Sequence, residues 1–267
     1  LRSRPRNSDD LAALTDLPII GEVPQLSRGA NLPREVLMTP DGQAAEAVRA
    51  LAASLRFVSV DKPAKVMIVT SAEPSDGKSS VATALGLTLA DAGRQTLVID
   101  ADLRNPTIAD LIGIEGAVGL TTVLVHDCDF AEATQHWGHQ NLRILPGGTL
   151  SPNPGQLISS GQLSETITMA REQFDAVIID TPPVLAVSDA LWLSPLVDGV
   201  IIVTRARKTS TRALRAAIDA VASTHATILG LVLNGVRIAP DSKYHGGNYG
   251  NTPWVEAMRF SGSAHCG

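Results

Sequence analysis

From Lys65 onward the chain alternates short apolar runs with longer stretches in which apolar residues recur at helical spacing. The runs are Val66 to Thr70, Thr96 to Ile99, Leu142 to Leu145, Ala176 to Ile179, Gly199 to Thr204 and Ile228 to Leu233. Between them, Ser79 to Ala92, Gln162 to Gln173, Ser188 to Leu196 and Ser210 to Ser223 read as helices. A strand covered on both faces loses its polar alternation, so this pattern predicts an α/β fold with a mostly parallel central sheet and helices on both faces.

The two ends of the chain read differently. Residues 1 to about 38 are punctuated by Pro5, Pro18, Pro24 and Pro33, with one short apolar patch at Leu17 to Val23. They are expected to be a linker lying against a domain, with little regular structure. Thr39, Pro40 and Asp41 then make a helix start. Ala44 to Phe57 follows, with Val48, Leu51 and Leu55 on one face and Glu46, Arg49 and Arg56 on the other. Residues 39–238 are expected to form one domain. After Ile238 the apolar runs stop, and 239–267, rich in Gly, Ser, Asn and His, reads as a flexible tail.

Composition narrows the classes. With 267 residues and 44% hydrophobic content the chain can bury one substantial core. Its net charge of −5 and 18% charged residues argue against a broad nucleic-acid-gripping surface, so no nucleic-acid partner is expected. Aromatics at 3% suit helices layered on a sheet better than an aromatic-rich barrel. Cys128 and Cys266 have no metal-ligand spacing and suggest neither a zinc site nor a disulfide framework. Even Leu196 to Thr204 is short and carries Asp198, so no run is long enough to cross a bilayer. Arg2, Arg4 and Arg6 crowd a start that is Leu and not Met. That suits a segment lying just inside a membrane, and equally an ordinary arginine-bearing surface.

Three segments carry chemistry. The run Val66 to Thr70 leads into Ser71-Ala72-Glu73-Pro74-Ser75-Asp76-Gly77-Lys78-Ser79-Ser80 and then an amphipathic helix, the context of a phosphate-binding loop. Gly77 lets backbone approach the phosphates, amides from Ser75 through Ser80 hold them at a helix N-terminus, Lys78 reaches the β- and γ-phosphates, and Ser79 contacts Mg²⁺. The first glycine of the common pattern is Ala72 here. A second strand delivers Asp100 and Asp102, two apart and thus facing one site, at the edge where a metal or a proton acceptor is expected. A third, Val177-Ile178-Ile179-Asp180-Thr181-Pro182-Pro183, ends in a carboxylate placed as a Walker B segment places one for Mg²⁺. Together the three segments are much more specific for a nucleotide site with Mg²⁺ than any one alone.

These residues resemble the bacterial tyrosine kinases of exopolysaccharide and capsule synthesis. The likeness spans about residues 15 to 238. It adds Asp16-Leu17-Pro18-Ile19-Ile20-Gly21, Leu145-Pro146-Gly147-Gly148 and Pro152-Asn153-Pro154. The resemblance implies a P-loop NTPase fold that binds ATP and Mg²⁺, and γ-phosphoryl transfer from ATP to tyrosines in a C-terminal tail. It also implies a place at the inner face of the plasma membrane, with a membrane chain-length regulator as partner or as the other half of the same chain. The sequence has just two tyrosines, Tyr244 and Tyr249, both in the tail beside glycines 246, 247 and 250. Phosphorylation of a neighbouring subunit's tail is the geometry the resemblance favours. A phenol with pKa near 10 arrives neutral and needs a proton acceptor; Asp102 is the first candidate and Asp100 its rival. Asp180 would hold Mg²⁺ or its water, with Asp100 as a further candidate ligand. Asn234 resembles the residue that meets adenine in related ATPases, although an Asn-Gly turn explains it as well.

The family's Glu-x-x-Arg-x-x-Arg ring motif is incomplete: Glu46 and Arg49 fit, but Ala52 stands where the second Arg belongs, with Arg56 one turn on. Two other readings compete. A partitioning or septum-positioning switch ATPase would carry an additional lysine early in the phosphate loop, and Ser71 to Pro74 contains none. A nucleotide-bound regulator of polysaccharide export would not need the full set of Lys78, Ser79, Asp100, Asp102 and Asp180. His136 and His139, three apart, could share a helix face but read as surface residues. Arg205, Arg207 and Lys208 could meet anions or a partner, and otherwise form a solvated loop.

Overall fold

The computed structural model describes residues 4–58 and 63–237. Along the chain run α1 (Ser8–Ala12), β1 (Ile19–Pro24), α2 (Leu32–Met38), α3 (Gln43–Val58), β2 (Val66–Ser71), α4 (Lys78–Asp91), β3 (Thr96–Asp100), α5 (Ile108–Ile112), α6 (Leu120–Leu124) and α7 (Phe130–Ala133). They continue as β4 (Gln135–Trp137), β5 (His139–Leu145), α8 (Pro154–Ile158), α9 (Gly161–Gln173), β6 (Ala176–Asp180), α10 (Asp189–Leu193), β7 (Gly199–Arg205), α11 (Thr211–Ala222) and β8 (Ile228–Val236).

The eight strands form one sheet in the order β1-β8-β7-β2-β6-β3-β5-β4. Every pairing is parallel except the hairpin of β4 with β5. Alternate residues of each central strand enter two separate cores. Ile68, Leu97, Ile99, Val177, Ile179, Val200 and Ile202 join the layer containing α9 and α11. Met67, Val69, Val98, Ile178, Ile201 and Val203 join the layer containing α3 and α4. The six apolar runs expected from the sequence are present as strands, and three of the four expected helices as α4, α9 and α11. The fourth, Ser188 to Leu196, is corrected to the five-residue α10 followed by a 3-10 turn at Ser194–Leu196, where Pro195 interrupts it.

Helix α4 is buried along nearly its whole length. Its Gly86 lies so close to the sheet that a Cβ there would overlap the Val98 side chain. Helix α3 keeps the predicted division, with Val48, Leu51 and Leu55 buried. Each such apolar side chain contributes about 1.5–3 kcal/mol when fully removed from water.

The expectation of little regular structure over residues 1 to about 38 is corrected. Residues 19–24 form an edge strand that pairs in parallel with β8, and two short helices flank it. Asn7 and Asn31 cap those helices through their side chains, accepting from Asp10 N and Arg34 N. His136 and His139 lie on the antiparallel β4–β5 hairpin and share no helix face.

Candidate functional site

Strand β2 is buried throughout and delivers its last residue, Ser71, to the carboxyl edge of the sheet, where the chain turns into α4. Gly77 is the N-cap of α4 with φ +95°, in the left-handed region, and a Cβ there would overlap the Asn234 amide nitrogen. Glycine therefore serves both the backbone angle and the close approach. Ser75 also adopts a left-handed conformation, with φ +61°.

The Lys78 side chain folds back over the sheet edge. Its Nζ lies 2.9 Å from Asp102 Oδ2, 3.4 Å from both Asp180 oxygens and 3.3 Å from Ser79 Oγ. Burial would weaken the lysine's hold on its proton. Asp180 and Asp102 outweigh that and keep Lys78 above the ordinary lysine range. Asp180 is fully buried; burial raises its carboxyl, with Lys78 and Ser79 opposing.

Asp100 and Asp180 are register partners on adjacent strands. Burial, reinforced by Asp180, pushes the Asp100 carboxyl up to about 7, against hydrogen bonds from Ile108 N and Thr107 N. Those two amides donate to Asp100 Oδ2 at 2.9 Å each, and Asp102 N donates to Oδ1 at 3.2 Å. Both oxygens of Asp100 thus pin the turn that leads into α5. Strand β3 ends at Asp100, so Asp102 reaches the site from the following turn and not from a shared strand face. There Asp102 Oδ1 accepts from Asn105 N at 3.1 Å while Oδ2 holds Lys78. Thr107, which sequence reasoning missed, donates its hydroxyl to Ser79 Oγ at 3.1 Å.

Behind the phosphate loop the picture differs from expectation. The Asp76 carboxyl is buried and turned inward. Its Oδ1 accepts from Thr209 Oγ1 at 2.8 Å and its Oδ2 from Glu73 N at 3.2 Å. Burial raises this carboxyl, with the Thr209 hydrogen bond opposing. Asn234 lies inside β8, and its Nδ2 donates to Asp76 O at 2.9 Å. The Asn-Gly turn is therefore replaced by a strand position facing the loop. Lys208 Nζ donates to Pro74 O at 2.9 Å and to Ser75 O at 3.2 Å, which corrects the solvated-loop reading of that residue.

Two cavities flank the loop. One of about 600 Å³ is lined by Lys78, Ser79, Asp102, Thr107 and an apolar wall that includes Pro182 and Pro183. The other, about 570 Å³, lies between the 25–31 loop and Gly77, Ser80, Arg205 and Asn234. Ser75 lines the first cavity, while Gly77 and Ser80 line both. At the first, Arg104 pairs with Asp189 at 3.1 Å, a contact no local sequence pattern announces.

Glu46 and Arg49 form an exposed pair along α3 at 2.8 Å, and Arg49 also donates to Pro40 O. Tyr244 and Tyr249 lie outside the described residues. Among the described residues, no group of three or more His, Cys, Asp or Glu converges as a metal site, and no helix is long and apolar enough to cross a membrane.

A family model described as "ParA: NUBPL iron-transfer P-loop NTPase" matches residues 62–246. The chain is 37% identical over 226 residues to the tyrosine-protein kinase YwqD of Bacillus subtilis (strain 168), covering 84% of this chain and 94% of that protein. It is 31% identical over 212 residues to the tyrosine-protein kinase etk of Escherichia coli (strain K12), covering 79% of this chain and 29% of that longer protein. Among solved structures, the chimerical protein CapA2B2 superposes with a TM-score of 0.82 at 27% identity, covering 87% of this chain and 100% of that one.

Proposed function

We propose, since the chain belongs to the bacterial tyrosine-protein kinase family of ParA-type P-loop NTPases, that it transfers the γ-phosphoryl group of ATP to tyrosine hydroxyls, Tyr244 and Tyr249 first among them. The observation that carries this reading is the Lys78 ammonium held between Asp102 and Asp180 at the wall of a cavity of about 600 Å³. One cation facing three neighbouring carboxyls is short of positive charge. A site of that kind suits a nucleotide that arrives with its own divalent ion.

The donors fit magnesium. The Ser79 hydroxyl and the Asp180 carboxyl, both within 3.4 Å of Lys78 Nζ, offer the oxygen ligands this ion prefers. Asp100, its oxygens occupied by backbone amides, would fix the turn around them and stand outside the direct contacts. When bound, the ion neutralises charge on the β- and γ-phosphate oxygens. Amides of residues 75–80 would cradle the phosphates, and Lys78 would swing from the carboxylates to the transferring group.

In the transfer, the phenol oxygen bonds to the γ-phosphorus as the bond to the β–γ bridging oxygen breaks, and the phenol proton passes to a carboxylate. Asp102 is the base, because it lines the cavity and Asp100 does not. The apolar wall at Pro182 and Pro183 suits the tyrosine ring. On the other side of the loop, Asn234 spends its Nδ2 on Asp76, leaving Oδ1 as an acceptor for the adenine amino group.

The chain spans little more than a quarter of etk. This supports a partnership with a membrane chain-length regulator, in the same chain or apart from it, at the inner face of the plasma membrane. It also supports a role in controlling exopolysaccharide or capsule polymerisation and export. Tail phosphorylation between copies in a homo-oligomer, with Glu46 and Arg49 at the contact, completes the reading.

The test is incubation of the purified chain with labelled ATP and Mg²⁺ beside Lys78→Met and Tyr244→Phe/Tyr249→Phe. Phosphotyrosine in the parent and in neither variant is expected. ATP hydrolysis with no phosphotyrosine in the parent would assign the site to a switch ATPase, and nucleotide binding alone to a regulator.

A further inference from the structure

A loop that points several amide hydrogens at phosphates must point its carbonyl oxygens the other way, and those oxygens need partners of their own. Here three consecutive carbonyls find them on side chains far off in sequence. Lys208 Nζ takes Pro74 O and Ser75 O, and Asn234 Nδ2 takes Asp76 O. Beneath them the buried Thr209 hydroxyl donates to Asp76 Oδ1 at 2.8 Å and accepts from Arg205 N at 2.9 Å.

We propose that the turn from Arg205 to Thr209 is a clasp that sets the shape of the phosphate loop from behind, and that the side chains of Asp76, Thr209 and Lys208 position the loop and do not themselves touch the nucleotide. The proposal rests on the nucleotide-binding reading of the loop, but not on transfer to tyrosine.

Three observations make the clasp more than a set of contacts. First, Ser75 holds a left-handed angle with a side chain that does not favour it, a conformation that persists where neighbours over-determine it. Lys208 binds the carbonyl on each side of that residue's α-carbon, at Pro74 and Ser75. Second, the three capped carbonyls belong to the peptide units whose amide hydrogens are those of Ser75, Asp76 and Gly77. A cation and an amide donor on their oxygen ends polarise those units toward an anion on the other side. Third, the turn is itself anchored: Arg207 N donates to Pro5 O at 2.7 Å, and Arg207 adopts φ +64°. The 4–7 segment, β7 and the phosphate loop are thereby mechanically continuous.

The test is the affinity of the full chain for a fluorescent ADP analogue with Mg²⁺, together with the ATP KM and kcat, in Thr209→Val, Thr209→Ser and Lys208→Met. Valine keeps the shape of threonine and removes both of its hydrogen bonds; serine keeps the hydroxyl and loses the methyl. Lys208 is exposed, so its replacement leaves folding intact. The expected result is a loss of nucleotide affinity of about tenfold in Thr209→Val and about fivefold in Lys208→Met. The ATP KM should rise more than kcat falls, and Thr209→Ser should restore binding to within about twofold. The clasp is overturned if Thr209→Val and Lys208→Met both bind within about twofold of the parent, or if Thr209→Ser is as weak as Thr209→Val. Because affinity is the readout, a parent chain that binds nucleotide but yields no phosphotyrosine counts against the kinase reading alone.

Discussion

The two ends of the sheet hold acidic residues in opposite conditions. At the amino ends of the strands, Asp198 accepts from Lys65 N and Val66 N at 2.9 and 2.8 Å and pairs with Arg171 at 2.8 Å. Burial alone would raise its carboxyl, but these partners win and hold it below the ordinary carboxylate range. At the carboxyl ends, Asp102 and Asp180 share one ammonium beside the buried Asp100, and burial raises Asp100 and Asp180. An acid whose donors match its charge fastens strands together. Acids left short of positive charge are kept for something that arrives from outside.

The sharpest way to separate the ends is Lys78→Met, which should lower phosphotyrosine formation at least about 100-fold in a labelled-ATP assay, by removing a donor aimed at transferring charge. Melting should stay cooperative. Asp198→Asn should do the reverse, costing about 2–3 kcal/mol in urea unfolding while nucleotide affinity stays within about twofold. A large loss of affinity would break the distinction.

The pH dependence of stability sharpens it further. Asp198 titrates below 3.8 when folded, so its contribution is present above that value and lost as pH falls through the folded one. Asp100 works the other way. Folded it keeps its proton to about 7, and unfolded it releases it near 3.8, so the folded state binds more protons in between. Its contribution is full below about 4 and is lost as pH rises toward 7. Without nucleotide or metal, Asp100→Asn should remove a falling slope of up to about 1.4 kcal/mol per pH unit, read from urea midpoints at stepped pH. Smallest of all, Glu46→Ala should change monomer stability by less than about 0.5 kcal/mol, since its pair with Arg49 is exposed. Sedimentation of the same variant reports any role between copies.

Much of this was legible in the chain itself because it is local. Six apolar runs marked six strands, and Gly77-Lys78-Ser79 between a strand and a helix marked the loop. What was missed depends on distant partners. Strand β1, Ile-Ile-Gly-Glu-Val-Pro, is broken by Gly21 and Glu22 and ends in Pro24, so it lacks the unbroken apolar run of the central strands, and it exists because β8 lies beside it. Strand β4 is three residues, Gln-His-Trp, held by a hairpin. Asp76 looked like a ligand by its position in the loop. Only the fold brings Thr209 behind it and turns it inward. Lys208 and Thr107 likewise belong to no pattern that spacing could show.

The pairing of Ile19 with Leu231 also sets a timetable for biosynthesis. A ribosome adding about 5–20 residues per second finishes β8 on the order of 10–40 s after β1 has emerged. Throughout that interval Ile20 and Val23, buried in the finished molecule, have no sheet to join. The nascent β1 thus has α3, through Leu51, but no neighbouring strand to lie against until the last strand arrives, and a product released before β8 would leave its backbone edge unpaired.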